Sequence, residues 1–477
     1  MSEVVHTGAA LAPIAVVLAL LALRVPSIRA GTAGLISAVI AAATVYMPDD
    51  DEIITAATQL GPTVLEVALI LLGGVTLATA LSGTGASDHI AGWLEEIGSS
   101  DDRVPAILLL VFGLTPFMES VTGFGLGVVI TAPLLVRMGL SPVKAVVSGL
   151  LGLVLVPWGS LGPGTLVAAE LGGQDFGELG YWSALLSLPI LVVSMATVLV
   201  VVVGSLPAPR LAALCAAIVA TQWGALVAAN ALVGPPPAGV IASAAVIALL
   251  LAAARLRHGP VPAVSWGLWR AGMPFAVLLT GILSTTAALD VLGSPPALAW
   301  SASPALWVIV AAVIALRVFP TADQGVRGLL ITALRTWTAV AANAVVFMLI
   351  GIVMATAGMA AHLAGLATGF GPTSLAFIPA VGALGGYLTG SNTGSAAMFS
   401  SATASAATGL GADPLVALAG QNVAGSFSII VSPPRVALAV GVVMTGRTRL
   451  PGRVTRTLAT AVLAATLTLG AAVFALA

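Results

Sequence analysis

Residues 385–399, GGYLTGSNTGSAAMF, set glycine, hydroxyl and amide groups in the middle of an apolar run long enough to cross a bilayer. Lipid offers such groups no hydrogen-bond partner, so backbone broken at that depth must be buried in protein or line a cavity. The stretch Leu388–Ser395 therefore predicts the tip of a re-entrant helical hairpin facing a binding site. Composition agrees with a membrane setting: of 477 residues, 59% are hydrophobic and only 7% charged. A net charge of −1 leaves no basic surface for nucleic acid. The single cysteine, Cys215, sits in an apolar run, excludes an intrachain disulfide and reads as a small core residue.

Apolar runs and charged gaps place the first spans at 8–23, 30–47 and 62–82. The first is followed by Arg24 and Arg29 instead of a small-residue cleavage site, so it reads as an uncleaved span. Next comes a polar stretch, 86–103, with Trp93, Glu95, Glu96, Asp101 and Asp102, which predicts an interfacial helix. Residues 104–136 form two apolar halves split at Met118–Gly127. Treating 104–136 and 372–409 as hairpins that enter and leave on one side keeps Arg24, Arg137, Lys144, Arg210, Arg255, Arg327, Arg335 and the Arg447–Arg456 loop cytoplasmic. The N-terminus then lies outside. The expected fold is an all-α polytopic membrane protein with about 12 transmembrane helices plus two re-entrant hairpins. Its expected parts are N-terminal spans at 1–61, a first repeat at 62–180, connecting spans at 181–333, a second repeat at 334–446 and a last span at 447–477.

The two broken regions match at an offset of 272 positions, pairing Pro142 with Pro414, Ser160 with Ser432, Gly113 with Gly385 and Glu119-Ser120 with Ser391-Asn392. In each copy a hairpin leads to a span interrupted by small residues and proline, at Pro157–Pro163 and at Ser432–Arg435. The charge count enters the first copy from the cytoplasm and the second from outside. This is an inverted-topology repeat, an architecture of secondary transporters. Helix N-termini after each tip, starting near Gly123 and Gly394, would direct free N–H groups at one midplane cavity, so an anion is the expected ligand.

Candidate contacts follow. Gly390, Ser391, Asn392 and Thr393 form one tip, and Ser120, Thr122 and Gly123 the other; the serine, asparagine and threonine of the second also have N-cap chemistry. Glu119 is the only acid within 104–136 and reads either as a coupling carboxylate or as a cap on the helix behind it. Arg435, beside Ser432, could grip a carboxylate with its fork, snorkel, or cap a helix C-terminus. Glu66 lies near the outer end of its span, and His362 in a loop before the second hairpin. Trp93, Trp182, Trp266 and Trp269 fit an interfacial aromatic belt.

With these residues in place, the chain resembles the lactate permease family, carriers for L-lactate and glycolate related to a broader ion-transporter superfamily. Phe117-Met118-Glu119-Ser120-Val121-Thr122-Gly123-Phe124-Gly125 resembles the family's acidic, glycine-rich segment. Leu388–Thr393, with Asn422 and Ser432-Pro433 downstream, resembles its second segment. Asn392 stands where the family usually carries aspartate and Ile429 where it usually carries lysine, which leaves Arg435 to supply the cation. The resemblance implies proton symport, for which Glu119 is the coupling carboxylate read above from its depth in the hairpin, while Asn392 in the Ser-Asn-Thr tip leaves sodium open. The expectation is a symporter for a small monocarboxylate in the cytoplasmic membrane, with no cofactor and no metal. Its expected partners are the carboxylate, the lipid bilayer and a second copy of the chain in a homodimer. A sodium-coupled carrier of another organic or inorganic anion is the alternative, and an anion channel is the rival from a different class. An enzyme is disfavoured because the chain carries no His-Glu-x-x-His pair and no P-loop.

Overall fold

The computed structural model describes residues 3–83, 85, 89–90, 92–93, 103–123, 125–204, 207–259, 262–318, 325–444 and 446–477. Most of the expected interfacial helix, including Glu95, Glu96, Asp101 and Asp102, lies outside the described residues, as does Phe124. The protein is all-helical, and among the described residues eleven helices are long and apolar enough to cross a membrane, or thirteen if each of two bent pairs counts as one span. This is the polytopic all-α class that the apolar runs imply.

Both broken regions are antiparallel helical pairs. In the first, the helical stretch Arg103–Thr122 turns at Gly123 and Gly125 into Leu126–Arg137. In the second, Ile378–Thr389 turns at Gly390 and Ser391 into Asn392–Gly409. The helices that follow start alike. Ser141 and Asp413 cap Lys144 N–H and Leu415 N–H, and Pro142 and Pro414 occupy the first helical position, where a missing N–H costs nothing. Each later breaks: Pro142–Leu151 gives way to a 3₁₀ turn at Val156–Leu161 before Pro163–Gly172, and Pro414–Ser428 to Ile429–Val431 before Pro433–Val443.

The offset of 272 holds at these caps but not at the tips. Gly123 and Gly390 end their respective arms, a spacing of 267, because the second hairpin's outgoing helix has 18 residues and the first's has 12. Glu119 accordingly sits one turn inside its arm, and is not the structural mate of Ser391. The outgoing helices start at Leu126 and Asn392, not at Gly123 and Gly394. Ser160 and Ser432, matched in sequence, also differ: Ser160 is left-handed (φ 45°), whereas Ser432 is extended and precedes a helix.

Two helices exceed the expected spans. Asp50–Gly83 starts twelve residues earlier than 62, with acids in its first turn that suit the positive end of the helix dipole. Gly325–Thr356 starts before 334, where the second repeat was expected to open, and takes in Arg327 and Arg335. These long helices pack on each other, on Ser27–Ala41 and on Pro304–Val318, and present their other sides to Asn392–Gly409 and Pro163–Gly172. The helices Pro209–Val233 and Pro235–His258 pack instead toward the first hairpin and its neighbours. His362, expected in a loop, lies in the helix Met359–Thr368 and is 2.9 Å from the Thr7 hydroxyl.

Small residues set the spacing of the core helices, as expected where lipid removes most of the hydrophobic drive and close backbone approach supplies the attraction. A β-carbon on Gly386 would collide with the Gly425 carbonyl of the neighbouring helix. Gly386→Ala is therefore expected to force Ile378–Thr389 off Pro414–Ser428 and destabilise the fold by about 1–3 kcal/mol, the usual cost of overpacking. Thermal unfolding in lipid nanodiscs reads this as a lowered Tm, with an unchanged Tm against it.

Candidate functional site

The site is assembled from the two tips and the helix Pro433–Val443. The first arm contains a π-helical stretch, Leu109–Leu114, which frees carbonyls from the regular ladder. The Gln222 side chain donates to Phe112 O at 3.0 Å and the Thr115 hydroxyl to Leu110 O at 2.8 Å, so the irregularity is satisfied inside the protein. The arm stops because Gly123 (φ 70°) and Gly125 (φ 82°) adopt backbone conformations that other residues rarely tolerate.

Glu119 is 2% exposed. Its two carboxylate oxygens each accept from Gly125 N–H at 2.9 Å, and Oε2 also receives a longer bond from Gly127 N–H at 3.4 Å. The carboxylate thus caps the outgoing helix, where the dipole favours a negative charge. Arg435 Nη1 lies 3.8 Å from Glu119 Oε1. The same arginine donates from Nε to the Gly390 carbonyl at 3.2 Å, the C-terminal end of the other hairpin's first arm.

Arg435 therefore touches both tips. It lies in the first turn of its own helix, where the dipole opposes a cation, so Glu119 and the Gly390 carbonyl compensate. Of the alternatives open in sequence, snorkelling is ruled out by burial, since the side chain is 11% exposed. It does cap a helix, but that of the second hairpin and not the one before its break. Its Nη1 is buried and forms no hydrogen bond among the described residues, which leaves a charged donor turned toward Glu119. Gly125 makes room for this: a β-carbon there would stand 2.5 Å from Nη1.

A second polar cluster ties the Asn392 end of the tip to the helices Pro163–Gly172 and Phe176–Leu186. Asn392 Nδ2 donates to Asn422 Oδ1 at 2.8 Å, and Asn422 Nδ2 donates to Thr165 Oγ1 at 3.0 Å and Ser183 Oγ at 3.1 Å. Asn392 Oδ1 is buried with no partner among the described residues. Gly164 allows the approach, because a β-carbon there would reach within 2.5 Å of Asn392 Nδ2. A third meeting point joins Ser160, Gly123 and Gly74, with Ser160 Oγ also buried and unpartnered.

The remaining expected contacts divide. Ser432 adjoins the second tip, 3.3 Å from where a Gly390 β-carbon would be, but donates its proton to Ile429 O. Ser391 acts as an N-cap, accepting from Gly394 N–H at 3.3 Å, and Thr393 is buried beside it. Ser120 and Thr122 lie on the first arm with their hydroxyls bonded to the Pro116 and Met118 carbonyls, and Ser120 packs toward Gly239 of another helix. Glu66, outside this site, accepts from the Ser303 hydroxyl at 2.9 Å. Thr165 and Ser183 were not singled out by sequence reasoning. Ser183 carries no local signal at all, whereas Thr165 follows the Gly-Pro-Gly of the first break.

The sequence pattern of the family described as L-lactate permease matches residues 7–267 and 276–471. The chain belongs to that family. An L-lactate permease of Streptococcus iniae is 24% identical over 349 residues, covering 66% of this chain and 72% of the relative. One of Bacillus subtilis is 34% identical over 123 residues, 26% of this chain and 22% of the relative. Among solved structures, the YdaH transporter of Alcanivorax borkumensis superimposes with a TM-score of 0.48 at 16% identity, covering 90% of this chain and 89% of that one.

This permease is thus a multi-pass membrane transporter, and the asparagine network has a testable structural role within it. Asn422→Ala removes the bonds that Asn392 Nδ2 and Ser183 Oγ make in the interior, while Thr165 keeps its own bond to the Pro157 carbonyl at 2.7 Å. The expected loss is about 1–3 kcal/mol of stability, the cost of leaving a buried polar group unpaired. A matched Tm for wild type and variant in nanodiscs would contradict it.

Proposed function

We propose that this permease is a secondary active symporter moving a small monocarboxylate such as L-lactate or glycolate together with a proton across the cytoplasmic membrane. The observation that carries the reading is Arg435 joined to Glu119 on one hairpin and to the Gly390 carbonyl on the other. Family membership and the printed names of the relatives support the substrate class.

The chemistry follows from charge balance in a poorly hydrated site. With Glu119 and Arg435 both charged, the pair is neutral, and a carboxylate entering alone would add an uncompensated negative charge, which is costly away from water. A proton taken up on Glu119 leaves the guanidinium for the substrate. Its planar fork suits two carboxylate oxygens, and Nη1 is the donor available to them. Anion and proton then cross as a neutral load.

The two hairpins act in this reading as an inverted-topology repeat around a midplane site, with the N-terminus outside and the Arg447–Arg456 loop cytoplasmic. Ser391, Asn392, Thr393, Ser120, Thr122, Gly123 and Ser432 are the further substrate-facing candidates. The test is uptake of labelled L-lactate and glycolate into proteoliposomes under imposed pH or Na⁺ gradients. Saturable accumulation driven by inward-directed protons supports the proposal. Accumulation that follows only the Na⁺ gradient transfers the coupling role to sodium, and flux that neither saturates nor accumulates points to a channel.

A further inference from the structure

A cavity of about 570 Å³ lies where Asp50–Gly83 and Gly325–Thr356 meet the elements that hold the ion pair; Val75, Ala78, Thr79, Leu126, Val340 and Leu438 are on its wall. Two of these residues border the pair directly. Leu126 follows Gly125, whose N–H holds the Glu119 carboxylate. Leu438 Cδ2 and Arg435 Nη1 lie 3.2 and 2.5 Å from the same point, the position a Gly125 β-carbon would take. The wall is mainly aliphatic. Its threonines are engaged along their own helices, Thr79 with Val75 O at 2.8 Å and Thr336 with Thr332 O at 3.0 Å.

A three-carbon acid gripped at Arg435 has no use for so much apolar space, which is of the size that houses whole organic ligands elsewhere. Leu126 and Leu438 stand both on the cavity wall and beside the ion pair, so a ligand with its carboxylate on the guanidinium can send its other end past them along the aliphatic wall. We infer that the cavity receives the alkyl chain of the substrate, and that this permease takes monocarboxylates with unbranched chains longer than that of lactate. The inference rests on Arg435 as the carboxylate grip, as in the function proposed above. It adds a specificity surface made of Val75, Ala78, Thr79, Leu126, Val340 and Leu438.

The test is ligand-induced thermal stabilisation of the purified full chain in lipid nanodiscs, using lactate, 2-hydroxyhexanoate, 2-hydroxyoctanoate and the methyl ester of each. Burial of each added methylene should tighten binding about fourfold, so 2-hydroxyhexanoate should bind at least tenfold tighter than lactate. The esters, lacking the charge, should give no shift. Thr79→Phe, at a half-buried position, and Thr336→Phe, at an exposed one, fill the cavity from two different helices. In each, the ratio of hexanoate-type to lactate affinity should fall to within about twofold of unity, the methylene gain being lost. Because the readout is a ratio within one protein, a general loss of affinity does not mimic the result. Affinity independent of chain length, ratios unchanged in both variants, or stabilisation by esters equal to that by acids would overturn the assignment; the last would mark an aliphatic groove for lipid. Labelled lactate uptake is measured in parallel. Lactate transport without chain-length dependence removes the cavity assignment alone, while chain-length-dependent binding of acids without lactate transport keeps the cavity and removes the lactate reading.

Discussion

Arg435→Gln is expected to lower kcat/KM for carboxylate uptake about a hundredfold, the equivalent of one charge-assisted hydrogen-bonded contact of about 3 kcal/mol. The arginine has two tasks, and the substitution removes both. It holds the second tip through the Gly390 carbonyl, and it supplies the charged donor nearest Glu119. At 3.8 Å the pair's attraction is of the order of 4 kcal/mol in a medium of effective dielectric near 20. Glutamine leaves Glu119 as a buried acid without its cation, so folding stability should fall as well. Arg435→Lys separates the tasks. It keeps the charge but lacks the fork, and a lysine cannot hold the Gly390 carbonyl and a carboxylate in one plane. Stability should then stay closer to wild type while uptake falls about tenfold, the loss of roughly one neutral-strength contact. Initial rates of labelled lactate uptake, with Tm measured on the same preparations, check both variants. An Arg435→Gln protein with unaltered KM and kcat would remove the arginine from the substrate path.

Much of this arrangement is legible in the sequence, for identifiable reasons. Polar and glycine residues inside membrane-length apolar runs have few explanations, so Met118–Gly127 and Leu388–Ser395 announce broken helices on their own. The caps that follow, Ser141-Pro142 and Asp413-Pro414, are local chemistry and can be read directly. The tip register is not readable in this way. One arm is six residues longer than its counterpart, 18 against 12, so an offset taken from the caps places Glu119 opposite a tip residue when it belongs one turn earlier. The turn is set by the two positive-φ glycines, not by the acid. Arg435 is half legible. Its chemistry allows three roles, and only the fold brings it to Gly390, 45 residues away in sequence. Asn422 finds Thr165 and Ser183 across 257 and 239 residues, a separation at which spacing carries no information. The two longest helices exceed the apolar windows because one window opens only at Pro62, after Thr58-Gln59 and Gly61, and the other only after Arg335, features that a helix extending past the bilayer carries without difficulty.

Glu119→Gln should separate exchange from accumulation. In the proposed cycle the acid is the group whose charge must be cancelled before an anion can share the site with Arg435. Glutamine fixes that cancelled state and is nearly isosteric, and its carbonyl oxygen can still accept from Gly125 N–H. The first tip should therefore keep its geometry. Arg435 then lacks its carboxylate and binds substrate without needing a proton, so exchange of external for internal lactate should continue. Net accumulation driven by a pH gradient should vanish, because loading and unloading no longer exchange a proton with either side. The loaded site would carry no additional proton and the empty site one more positive charge than in wild type. The empty carrier's return should then become the slow step and depend on membrane potential. These consequences are checked together in proteoliposomes, by counterflow of labelled lactate, by pH-driven accumulation, and by the effect of an imposed potential on net uptake. Intact pH-driven accumulation in Glu119→Gln would assign coupling to another group. Loss of counterflow together with accumulation, at unchanged Tm, would instead make the carboxylate part of the substrate grip.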